Sequence, residues 1–73
     1  MQTLNEVKIG SDAVVCKISG DGALRRRFMD MGITKGAKLR LIKAAPLGDP
    51  LEITVRGYSL SLRKEDAKNI FVN

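Results

Sequence analysis

Arg25-Arg26-Arg27 form an unbroken basic run, and Lys35, Lys38, Arg40 and Lys43 follow at short intervals. Arg56, Arg63 and Lys64 add to it, and the whole chain sets 13 basic residues against 8 acidic ones for a net charge of +5. Grouped cations of this kind attract an acidic partner: nucleic acid, an anionic lipid surface or an acidic protein patch. A charge of this size also keeps a small domain soluble, so charge alone leaves these readings open.

The other reactive side chains point to no reaction. The carboxylates are dispersed, and only Glu65-Asp66 are adjacent, which on a helix does not bring them to one point. The chain has no histidine and one cysteine, Cys16. A histidine base is therefore missing, and a zinc or soft-metal site built from this chain alone lacks imidazole and paired thiolates. Cys16 ends the apolar run Ala13-Val14-Val15-Cys16 and reads as a small buried hydrophobe. It forms no internal disulfide, which fits a reducing compartment. Gly20-Asp21-Gly22 resembles the start of a dinucleotide fingerprint, but the third glycine would fall on Arg25 and no second strand–helix unit follows. It reads as the turn that opens a helix. We expect no catalytic, cofactor-binding or metal-ligating residue.

The elements that position these groups are short. A chain of 73 residues makes one domain, 1–73, and a domain of this size buries only about 60% of the surface its unfolded chain exposes. That favours a binding module over an enzyme with a deep cleft. No basic n-region followed by an apolar run opens the chain, and no stretch nears the roughly 20 apolar residues of a membrane-spanning helix, so a cytoplasmic protein is expected. Asp12 to Ile18 reads as a strand, with Val14, Cys16 and Ile18 on one face and Ala13, Val15 and Lys17 on the other. Asp21 to Met31 reads as a helix capped by Asp21 and ended by Gly32, with an apolar stripe of Leu24, Phe28 and Met31. Met29 falls off that stripe and faces outward beside Arg25. Arg26 and Asp30 are spaced to pair on the outer face.

Strands follow at Lys38 to Ala44, Leu51 to Val55, Tyr58 to Leu62 and Ile70 to Val72. Ile42 breaks the alternation of the first of these, which predicts a bulge. Arg56-Gly57 suits a tight hairpin, and Arg63 to Asn69 a single helical turn. The expected fold is mainly β with short helices: a small antiparallel barrel with a helix inserted after the first strand, closed so as to remove exposed edges.

Pro46-Leu47-Gly48-Asp49-Pro50 joins two of these strands. Pro50 lacks an N–H and can only start a strand, and Gly48-Asp49 supplies turn chemistry. The turn does not need Leu47. Either it is held out as part of an interface, or it folds back over the barrel mouth.

Three segments together carry a resemblance. Arg27-Phe28-Met29-Asp30-Met31-Gly32-Ile33-Thr34-Lys35-Gly36 resembles the arginine, apolar residue and Met-Gly-Ile followed by glycine of the FeoA family, ferrous iron transport protein A. Ala45 to Pro50 resembles that family's hairpin turn, and Arg56 to Lys64 its arginine-glycine turn and leucine-rich strand. The resemblance runs from about Leu4 to Val72 and departs at Phe28, where the family usually has leucine. It implies an SH3-like barrel and a cytosolic bacterial accessory protein of ferrous iron uptake, recruited to the membrane by FeoB, a permease with a cytosolic G domain. The family often carries a transition-metal-binding label, for which this chain has no histidine or thiolate cluster.

The expected partner contacts are Leu47 in the loop, Met29 and Arg25 or Arg26 on the helix, and Lys43 near the strand end. An apolar knob in a basic rim resembles an interface centre. The Leu47 loop also offers a route to self-association. A nucleic-acid-binding barrel or a metalloregulator-type SH3-like module is the alternative. The chain has few aromatics for base stacking, and for the same reason a proline-rich-peptide groove is disfavoured.

Overall fold

The computed structural model describes residues 2–73. Six strands form one antiparallel system: β1 (Gln2–Thr3), β2 (Asp12–Ile18), β3 (Lys38–Ala44), β4 (Leu51–Val55), β5 (Tyr58–Leu62) and β6 (Ile70–Val72). Two helices, α1 (Gly22–Asp30) and α2 (Lys64–Ala67), and a 3₁₀ turn at Leu4–Glu6 complete the fold. The sheet order is β1-β6-β2-β3-β4-β5. The mainly β architecture with short helices is as expected. β1 is an addition: two residues carry no alternation to read, and the strand exists because Gln2 and Thr3 pair with Val72 and Phe71. The inserted helix thus follows the second strand.

Alternation places the core. Ala13 and Val15 of β2, Leu39 and Leu41 of β3, and Leu51, Ile53 and Val55 of β4 all point inward, with Leu62, Ile70 and Val72. Phe28, Leu4, Ile33, Ala37 and Ala67 fill the rest, and no polar or charged residue is buried among the described residues. Two bulges interrupt the pattern, between Val15 and Lys17 and between Leu41 and Lys43. The second leaves Ile42 exposed, as its broken alternation predicted. The first corrects the sequence reading. Cys16 is the extra residue of the bulge and is half-buried, not sequestered. Past it the phase resets, so Ile18 packs against the core while Val14 faces out.

Among the described residues no strand pairing joins β5 to β1: β5 pairs only with β4, and β1 only with β6. After β5 the chain turns into α2, which packs on the 3₁₀ turn through the buried Ala67 and Leu4. The expected removal of edges is therefore partial, because β5 keeps one unpaired side among the described residues.

α1 forms where its signals put it. The Asp21 carboxylate accepts from the Leu24 N–H at 2.8 Å, and Gly32 takes φ +81° just past the last turn. Phe28 is fully buried, with Leu24 and Met31 partly so. The expected Arg26–Asp30 pair is absent from the ion pairs of the described residues, since an exposed pair gains too little to fix two long side chains. Its neighbour Arg27 instead reaches Asp66 of α2 at 3.6 Å. In the β4–β5 turn Arg56 and Gly57 both have positive φ, +50° and +84°, matching the twist of a two-residue hairpin. Arg56 donates from Nε to the Gly32 carbonyl and from Nη2 to Thr34 Oγ1, each at 3.3 Å, which ties the hairpin to the end of α1.

Two stability predictions follow from these local bonds. A Cβ on Gly57 would meet nothing within 4 Å, so Gly57→Ala should cost only the backbone strain, about 1–2 kcal/mol in urea denaturation. At the 3₁₀ turn, the Thr3 N–H donates to Glu6 Oε1 at 2.9 Å and Thr3 Oγ1 donates to it at 3.0 Å. These bonds, the backbone one first, hold the Glu6 carboxyl below its ordinary pKa of 4.5. A lowered carboxylate pKa gives stability that is complete above the ordinary value and lost as pH falls through the folded one. The melting-temperature gap between wild type and Glu6→Ala should be full near neutrality and shrink as the pH drops below that range.

Candidate protein-binding surface

The loop joining β3 and β4 is held by its backbone and by Asp49. The Gly48 N–H donates to the Ala45 carbonyl at 2.7 Å, and the Ala45 N–H to the Pro50 carbonyl at 3.0 Å. Asp49 Oδ1 accepts from the Lys64 N–H at 2.9 Å, so a loop carboxylate caps α2 across space. Leu47 takes no part in this frame and is 95% exposed, which excludes folding back over the barrel mouth. Lys43 pairs with Glu52 at 3.3 Å. Both border a shallow cleft of about 260 Å³ with Ala45, Pro46, Pro50 and Ser61.

The helical candidates lie elsewhere. Arg25 and Met29 are one turn apart on α1 and line a cleft of about 500 Å³ with Cys16, Lys17, Ile18, Thr34 and Lys35. Met29 is 64% exposed, as its phase on the helix predicted. Arg26 faces a separate hollow with Gly22, Ala23, Arg27 and Asp30. Both connections of α1 sit where β2 ends and β3 begins, because Val14 of β2 pairs with Lys38. The Leu47 loop is at the other end of β3, six residues on, or about 20 Å at the rise of a strand.

The candidates thus divide into two groups, Leu47 with Lys43 and Met29 with Arg25, while Arg26 occupies the flank of α1. Sequence reading named neither Lys17, Ile18 nor Lys35 as contacts. The signal available was their position: they bracket α1 in the chain, and a helix inserted between two adjacent strands brings its flanks together.

No group of three or more histidine, cysteine, aspartate or glutamate side chains comes together among the described residues. With no histidine and one cysteine in the chain, a resident transition-metal centre does not fit this donor set. Among the described residues no helix is long and apolar enough to cross a membrane.

Comparison with known proteins places these features in context. A profile of the FeoA domain matches residues 2–73. An Fe(2+) transport protein A/Fe(2+) transporter FeoB fusion protein of Porphyromonas gingivalis is 38% identical over 69 residues, covering 94% of this chain. The chain spans only 8% of that fusion's length. The solution structure of FeoA from Chlorobium tepidum superposes with a TM-score of 0.92 at 42% identity, covering 99% of this chain and 69% of that one. Stenotrophomonas maltophilia FeoA complexed with zinc, described as a prokaryotic SH3 domain protein, gives a TM-score of 0.85 at 30% identity, covering 100% of this chain and 91% of that one. The SH3-like fold expected from the sequence is thereby established.

The loop geometry separates frame from surface. Leu47→Ala should leave stability within about 0.5 kcal/mol of wild type in chemical denaturation, as for an exposed side chain without partners. Asp49→Ala, which uncaps α2, should cost about 1 kcal/mol.

Proposed function

The chain belongs to the FeoA family, and we propose that it is a non-enzymatic binding module that docks on the cytosolic part of a FeoB-type permease and modulates Fe²⁺ transport. The observation that carries this reading is the Porphyromonas gingivalis fusion, in which a segment 38% identical to this chain shares one polypeptide with an Fe²⁺ transporter. Covalent linkage holds two modules at an effective concentration on the order of millimolar. A separate chain needs a docking surface to reach the same proximity.

Exposed apolar side chains beside cations supply the parts of such a surface. Leu47 and Met29 are large, apolar and held outward, while Lys43 lies on the strand leading to the Leu47 loop, Arg25 shares a cleft with Met29, and Arg26 is an exposed cation on the flank of α1. Apolar anchors ringed by polar groups carry most of the binding energy in protein interfaces, and the rim sets salt dependence. In this reading Fe²⁺ is the permease's cargo, and the module acts on the permease by binding.

Co-purification with the permease tests the proposal. Wild type should be recovered with it, less so as salt rises, and recovery should fall in Leu47→Ala and Arg26→Glu. Unchanged recovery in both variants would reject these contacts. Tight binding to duplex or single-stranded nucleic acid near physiological salt, with none to the permease, would reject the function.

A further inference from the structure

Four of the 13 cations of this chain are paired locally among the described residues. Lys38 and Arg40 share Asp12, each at 3.9 Å, Lys43 has Glu52, and Arg27 has Asp66. Lys17, Arg25 and Lys35 are among the cations outside these four ion pairs, and what sets them apart is that they surround one cleft beside α1. Lys17 Nζ also lies over the Phe71 ring, 5.7 Å from its centroid. No carboxylate lines the cleft, and its apolar lining is Cys16, Ile18 and Met29. A cleft of about 500 Å³ with an apolar centre, three cations and no carboxylate in its lining is thus built into one side of the molecule.

We propose that this cleft receives an acidic segment of the partner protein, with one large apolar side chain seated against Ile18 and Met29 and carboxylates meeting Lys17, Arg25 and Lys35. The assignment rests on the docking reading above and gives it a specific site. Charge complementarity selects the occupant. A carboxylate entering here finds cations whose pairing is not already satisfied, so no internal ion pair has to break. Nucleic acid shares the negative charge, but single-strand binders combine a basic groove with aromatic rings on which bases stack, and no aromatic side chain lines the cleft. An anionic bilayer takes up protruding apolar side chains, whereas a concave site accepts one.

The ε-methyl of Met29 and the δ-methyl of Ile18 report on the site by NMR, and Cys16 reports by its alkylation rate. The probe is the full permease in nanodiscs, with a 20-nucleotide single-stranded RNA and anionic vesicles as separate samples. Met29 and Lys35 are exposed, so Met29→Glu and Lys35→Glu should keep the wild-type fold, checked by amide spectra. The expected result is a shift of both methyls on addition of permease, protection of Cys16, and affinity lowered at least tenfold by Met29→Glu and severalfold by Lys35→Glu. Permease binding with both methyls unmoved and both variants unaffected would overturn the cleft and leave docking intact. No permease binding by any chain would overturn both. Shifts of the same methyls by RNA or vesicles at physiological salt, matching or exceeding those from the permease, would overturn the assignment to a protein segment.

Discussion

Phe28 is the side chain on which the placement of α1 depends. It is the one fully buried residue of that helix, and its carbonyl accepts the N–H of the equally buried Ile33 at 2.8 Å. Phe28, with the partly buried Leu24 and Met31 beside it, therefore anchors a nine-residue helix on a barrel of short strands, and Arg27 and Arg56 add only exposed polar ties. Burying a phenylalanine gives roughly 1.5–3 kcal/mol, well above the fraction of a kcal/mol of an exposed ion pair. Arg25 and Met29 present themselves outward because Phe28, on the neighbouring stripe, is fixed inward.

The strands were legible because each buried face follows a period of two. Leu51, Ile53 and Val55 alternate with Glu52 and Thr54 without interruption, and the turns are written in residues suited to positive φ. Ile42 announced its bulge by breaking that period. The bulge at Cys16 left no such mark, because Val14, Val15, Cys16 and Ile18 are all compatible with burial on either face. Only pairing with β6 reveals where the phase resets. β1 was illegible for the opposite reason: it is made by its partner and not by its own pattern.

The candidate site was legible residue by residue but not as a surface. Helical phase was enough to turn Met29 outward, and turn chemistry was enough to single out Leu47. Their separation by the length of β3 depends on strand pairing, which the residues themselves do not state. The same holds for the matched and unmatched cations. Lys38 and Lys35 look alike in sequence, and only the fold gives one of them Asp12.

The pairing of Gln2 with Val72 sets the two ends of the chain side by side, about 5 Å apart as neighbours in an antiparallel ladder. A tether leaving from either end departs from the same corner of the barrel. Chain continuing from β1 or from β6 would then start from the same place relative to the Leu47 loop and the α1 cleft. For a fold found as a separate chain and as part of a longer one, the order in which the pieces are joined places little constraint on the faces they can bring together.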